Sequence, residues 1–144
     1  MAYDKTQFKS LIERVLTDAH LGHTKDAVNL LLGTAAVESM FGTYLRQIAG
    51  PARGAFQMEG DTFDWLKVKY RIWIDGIETR HADEMEYDLK LAIIMCRLKY
   101  LSIKAALPTN LDGYARYWKR YYNTPLGEGS ELDFIKNYRY YVEF

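Results

Sequence analysis

The chain has almost no cysteine. Cys96 is the only one in 144 residues, so there is no internal disulfide framework. The protein either belongs to a reducing compartment or does without bridges. Net charge is also missing: Lys plus Arg and Asp plus Glu number 19 each. A neutral chain has no bulk electrostatic reason to seek nucleic acid or an anionic membrane, which leaves only local patches. No apolar run approaches the about 20 residues that span a bilayer. The stretch MAYDKTQFKSLIERVL at the start carries acids and lacks an apolar signal core, so synthesis without an export address is expected. Repeats, linkers and low-complexity tracts are absent, and strand signals are weak. A single domain over residues 1–144 is expected.

What the chain does have is apolar and aromatic surface, with 12 Tyr and 3 Trp, enough for a packed core and too much for disorder. The periodicity is helical. Phe8, Leu11, Ile12, Val15, Leu16 and Ala19 recur at offsets of three and four, giving one amphipathic face. Asp4 and Gln7 suit a capping box before it, and Gly22 is read as its end. Thr24 is an N-cap for a second helix through Ala27, Leu30, Leu31 and Thr34 towards Glu38. TYLRQIAGPARGAFQMEGDT reads as a loop with a Gly-Pro turn and a short hairpin near residues 47–58. Asp61 or Thr62 then caps a helix with Phe63, Trp65, Leu66 and Tyr70.

Residues 82–107 read as the longest and most buried helix, with Met85, Leu89, Ala92, Ile93, Cys96 and Tyr100 on one side and Pro108 closing it. Asn110 or Asp112 opens an aromatic helix, DGYARYWKRYY, which NTPLGEG breaks. Ser130 and Asp133 form a capping box for a last helix holding Ile135, Tyr138 and Val142. The expected fold is mainly α with at most a small β-hairpin.

One carboxylate stands out. Ala27, Leu31, Thr34 and Glu38 fall on one helical stripe. Glu38 therefore ends an apolar helix, where desolvation and the negative end of the helix dipole both favour its proton. A carboxylic acid that stays protonated near neutral pH suits general-acid chemistry on a glycosidic oxygen. The alternatives are a solvated helix-end acid or an ion pair with Arg46. Nearby, GPARGAFQME joins pliable backbone at Gly50 and Gly54 to Gln57 and Glu59. Glycine lets the main chain approach a ligand closely, and a Gln amide both donates and accepts in one plane, as sugar hydroxyls and N-acetyl groups require. An ordinary turn is the alternative.

Other residues point elsewhere or nowhere. His20 and His23 lack a carboxylate at ligand spacing and His81 is remote, so zinc is not indicated and surface roles are expected. Cys96 among Ile93, Ile94 and Met95 suits a buried, inert thiol. Tyr114, Tyr117, Trp118, Tyr121 and Tyr122 are too many for one helix to bury, so one or two could form a sugar-stacking wall. The run WKRYY offers nucleic-acid stacking in principle, which the neutral charge and lack of a nucleic-acid motif oppose.

AAVESMFGTYLRQ followed by GPARGAFQMEGDTFDWL resembles the soluble lytic transglycosylase and goose-type lysozyme superfamily. That superfamily carries a Glu-Ser pair at a helix end, here Glu38-Ser39, and then a Gly-x-x-Gln motif, here Gly54 to Gln57 with Phe56 before the Gln. A Tyr-Asn before a glycine-containing loop and a Tyr in the last helix are similar to Tyr122, Asn123 and Tyr138. The resemblance covers residues 27–66 well and 110–141 loosely. Two features depart from it. Thr124 and Pro125 intervene before Gly127, where the family's Gly follows closely. Glu59 stands two residues after the Gln, where transglycosylases usually have apolar residues and goose-type lysozymes can place an Asp that holds the attacking water.

The resemblance implies a lysozyme-like helical domain that cleaves the β-1,4 bond between N-acetylmuramic acid and N-acetylglucosamine in peptidoglycan. It implies Glu38 as catalytic acid and Ser39 as its orienter or a substrate contact. Gly54, Phe56 and Gln57 would line the cleft, Tyr122 and Asn123 would contact the sugar or position Glu38, and Tyr138 would be a further substrate contact. No metal or organic cofactor is implied. Glu59 is equally a catalytic base or a helix cap at this point, so hydrolase and transglycosylase both stand. Made in a host cytoplasm without a signal peptide, such a protein would act at the bacterial wall or within a virion. It would then be a bacteriophage endolysin or virion-associated enzyme, reaching peptidoglycan by holin-type release, by lysis or as part of a particle. The competing expectation is a lysozyme-like structural or assembly protein of a phage particle, or a sugar-binding module, without turnover.

Overall fold

A computed structural model describes residues 1–123 and 126–143. The fold is mainly α, as expected, with six α-helices among the described residues: α1 (Lys5–Asp18), α2 (Lys25–Ser39), α3 (Gly60–Lys69), α4 (Leu89–Leu101), α5 (Leu111–Trp118) and α6 (Glu131–Tyr141). The hairpin segment contributes two isolated antiparallel bridges, Arg46 with Arg53 and Arg53 with Met58.

Helices α2 and α4 are buried on nearly every side. In α2, Leu30 through Ala36 are all buried, and in α4 Leu91 through Leu98 are. A helix apolar all round belongs at the centre of a domain. Around this pair, α1 packs on both central helices, α3 on α4, and α5 and α6 on α2. Trp118 and Phe134 join α5 to α6 at a ring separation of 5.6 Å. One contiguous core results, running from Phe8 to Tyr138.

Local signals set most helix starts. The Thr24 hydroxyl accepts from Ala27 N and the Asn110 side chain from Gly113 N, while Ser130 and Asp133 cap each other's backbone. Asp4 caps α1 by accepting from Gln7 N at 2.9 Å.

Three expectations are corrected. First, α1 ends at Asp18, four residues before Gly22, with His20 in the left-handed region at φ 56°. Second, α3 begins at Gly60 with Glu59 at its N-cap position, not at Asp61 or Thr62. Third, residues 82–107 do not form one helix. Ala82–Glu86 form a 3₁₀ turn, and α4 starts afresh at Leu89 with Asp88 accepting from Leu91 N. Arg80 causes the break: its guanidinium bonds Glu84 at 2.8 Å and Asp88 at 2.5 Å, folding the segment around itself. The helix also stops at Leu101, well before Pro108.

The aromatic helix runs on beyond α5 as a π turn over Lys119–Asn123. A π turn inserts one residue into the helical repeat and shifts the phase of everything after it. Tyr122 and Asn123 lie in that shifted segment.

Candidate active site

Glu38 occupies the last turn of α2 beneath an open cleft of about 510 Å³. Gln57, Glu59, Tyr122 and Asn123 line the same cleft, with Gln47, Thr62, Lys99 and Glu128. Five residues singled out from sequence are therefore gathered in one place, from three separate segments.

Glu38 is partly buried, with Ala27, Leu31 and Thr34 fully buried along its stripe. Burial raises its pKa from 4.5 to about 7, against a smaller opposing effect from Trp118. The indole Nε1 of Trp118 donates to Glu38 Oε2 at 3.0 Å, fixing the carboxyl's orientation. No cation pairs with Glu38 among the described residues. Arg46, the alternative partner, instead donates to Glu86 at 2.7 Å. A carboxyl desolvated, aimed and unpaired carries its proton near neutral pH.

Beneath the cleft lies an aromatic and hydroxyl layer. The Tyr122 hydroxyl donates to Phe56 O at 2.7 Å, tying the π turn to the Gly54–Gln57 loop. The Tyr122 ring stacks on Tyr100 at 5.4 Å, and Tyr100 shares a 2.7 Å hydrogen bond with Thr34, one turn before Glu38. Cys96 is fully buried in this layer, and burial pushes its thiol well up, which makes it the inert thiol expected.

Gln57 sits in the left-handed region at φ 48°, a conformation that costs a non-glycine residue about 1 kcal/mol or more. Its side-chain nitrogen donates to Gly54 O at 3.0 Å and Tyr44 O at 3.5 Å. The amide oxygen takes no donor among the described residues and is available to a ligand. Glu59 is exposed and makes no side-chain capping bond, so among the described residues its carboxylate is uncommitted although it stands at the helix start. Asn123 Oδ1 accepts from Lys119 Nζ at 2.8 Å, and the same ammonium donates to Gly127 O at 2.8 Å. Gly127 packs so closely that a Cβ there would lie 2.5 Å from Asn123 O. The loop carrying Glu128 is thereby held against the cleft despite the two residues inserted before it, Thr124 and Pro125, which lie outside the described residues.

Four expected ligand contacts are placed elsewhere. Ser39 is buried, donating to Ala35 O and accepting from Gly42 N, so it closes the end of α2. Gly54 is needed for its φ of 83° and because a Cβ would fall 2.5 Å from Met85 O. Phe56 is core, 6.2 Å from Phe8, and serves the site only through its carbonyl. Tyr138 packs between Tyr114 and Phe134, away from the cleft lining.

Sequence reasoning missed Trp118 as the partner of Glu38, and it missed Lys99 and Glu128. The aromatic cluster was visible, but which ring would reach Glu38 depended on how α5 crosses α2. Among the described residues, no group of three or more His, Cys, Asp or Glu stands together to hold a metal ion. No described helix is long and apolar enough to cross a membrane. No family model, curated protein or solved structure matches the chain.

Proposed function

We propose that this protein is a lysozyme-like glycosidase that cleaves the β-1,4 bond between N-acetylmuramic acid and N-acetylglucosamine in peptidoglycan, with Glu38 as general acid. The observation that carries the reading is a partly buried carboxyl, held by Trp118, with a pKa of about 7 and facing a cleft shared with Gln57, Glu59, Tyr122 and Asn123.

In this reading Glu38 gives its proton to the glycosidic oxygen as the C–O bond breaks, and the departing sugar leaves with a neutral hydroxyl. Positive charge develops at the anomeric carbon, and the ionised Glu38 steadies it. Gln57 offers its amide oxygen to an N-acetyl or hydroxyl donor. Two endings are available. If Glu59 takes a proton from water, hydroxide attacks the anomeric carbon and a reducing sugar results. If the substrate's own 6-hydroxyl attacks and returns its proton to Glu38, a 1,6-anhydro sugar results. The uncommitted carboxylate of Glu59 favours water. A phage origin fits an enzyme of this kind, either released late or carried in the particle.

The test is clearing of purified murein by the wild type and by Glu38→Gln, which keeps the shape and the Trp118 bond but has no proton to give. Clearing by the wild type alone supports the reading, and equal behaviour of the two rejects it. Mass analysis of the fragments separates reducing from anhydro ends, and Glu59→Gln shifts the balance if Glu59 activates water.

A further inference from the structure

Among its described lining residues the cleft has three carboxylates, Glu38, Glu59 and Glu128, and one cation, Lys99. A cation among acids ordinarily pairs with one. Lys99 does not: no carboxylate reaches it within ion-pairing distance among the described residues. Its side chain, leaving the last turn of α4, instead places the ammonium 5.8 Å from the centre of the Trp65 indole. Lys69 reaches the same indole at 5.6 Å, and among the described residues it too has no carboxylate within ion-pairing distance. Trp65 is half exposed, so part of its ring remains open. Thr62, on the same helix one turn earlier, lines the cleft and links this corner to it.

Each ammonium rests against the indole in place of a carboxylate, and the ring's quadrupole offsets only part of the cost of leaving a cation without a counter-ion. Partial burial lowers the Lys99 pKa, so its charge is held at a cost. An anion arriving at Lys99 supplies the counter-ion it lacks, with Lys69 on the same ring adding positive potential. An open indole is also a platform for the apolar face of a sugar ring.

We infer that Trp65, Lys69 and Lys99 form a subsite at the α3–α4 end of the cleft that binds a carboxylate carried by the glycan, with the indole stacking on the sugar that bears it. This deepens the glycosidase reading and rests on it. The inference separates two polymers with the same linkage. A neutral N-acetylglucosamine chain offers the lysines nothing. A chain with acidic substituents offers carboxylates from one of two sources, the lactyl ether on the sugar or the peptide attached through it.

The experiment measures binding by calorimetry to the Glu38→Gln protein, so that turnover does not enter. The probes are N-acetylglucosamine hexamer, peptide-free murein strands with free lactyl carboxylates, the same strands after methyl esterification, and strands that keep their peptides. The expected result is that acidic strands bind about tenfold or more tighter than esterified ones, the scale of one charge-assisted hydrogen bond. Adding Lys99→Met should collapse that ratio towards one, and Lys99→Arg should keep most of it. Preference confined to the peptide-free strands assigns the lactyl carboxylate, and preference confined to the peptide-bearing strands assigns the stem. A Lys99→Met protein that keeps the full ratio overturns the inference, as does equal weakening on acidic and esterified strands. Murein clearing by the wild type is scored separately. Clearing without charge preference sinks the subsite alone, and charge preference without clearing sinks the glycosidase reading alone.

Discussion

Replacing Glu38 with Gln is expected to make the protein more stable at alkaline pH while abolishing the proposed glycosidase activity. The effect is one of proton linkage. In the unfolded chain Glu38 titrates near 4.5, and in the fold near 7. Between those values the folded state binds the proton and the unfolded state does not, so stability falls as pH rises through that window. The stability is fully present below about 4.5 and is lost by the time pH has passed about 7. The gap corresponds to about 3 kcal/mol at about 1.4 kcal/mol per tenfold change in proton affinity. Gln keeps an oxygen for the Trp118 N–H and carries no charge. Its stability should therefore lack this dependence.

Urea unfolding of both proteins at pH 4.5 and pH 8.5 measures the effect. The two should differ little at pH 4.5, and Glu38→Gln should exceed the wild type by about 3 kcal/mol at pH 8.5. For a chain of this size that is roughly 10 °C in melting temperature. A wild-type minus variant difference that stays constant across pH would refute the claim that Glu38 is held protonated by burial, and the general-acid assignment would lose its support.

Other expectations follow from the same geometry. The pH profile of kcat/KM on murein should fall above about pH 7 as Glu38 loses its proton, and Trp118→Phe, which removes the one contact that lowers that pKa, should move the falling limb upward. Tyr122→Phe strands the Phe56 carbonyl and should cost about 1–3 kcal/mol in urea unfolding. Gly127→Ala drives a methyl against Asn123 and should lower kcat/KM at least several-fold, with a smaller change in unfolding midpoint. Arg46→Ala breaks only a surface pair with Glu86 and should shift stability by less than about 1 kcal/mol.

Much of the fold was legible because its signals are local. Apolar spacing marks α1, α2 and α6, and the side chains of Thr24, Asn110 and Ser130 mark where three helices begin. The misreading of residues 82–107 has a tertiary cause: the apolar pattern runs on without pause, and only the reach of Arg80 to Glu84 and Asp88 shows the chain turning there. The candidate site divides in the same way. Glu38 announces itself as an acid on an apolar stripe, and Gln57 and Glu59 follow from pliable backbone beside them. Ser39 and Tyr138 looked equivalent in the string of letters, yet one closes a helix end and the other fills the core. Lys99 carried no signal at all, since a lysine on a helix is ordinary until its missing partner and its neighbouring indole are seen in space.

The widened turn at Lys119–Asn123 makes the cleft sensitive to chain length in a way no substitution would reveal. Removing one residue there would let α5 continue in regular register, turning Tyr122 and Asn123 about 100° around the axis. The phenol would leave the Phe56 carbonyl, the amide would leave Lys119, and their share of the cleft lining would face the wrong way with every other side chain unchanged.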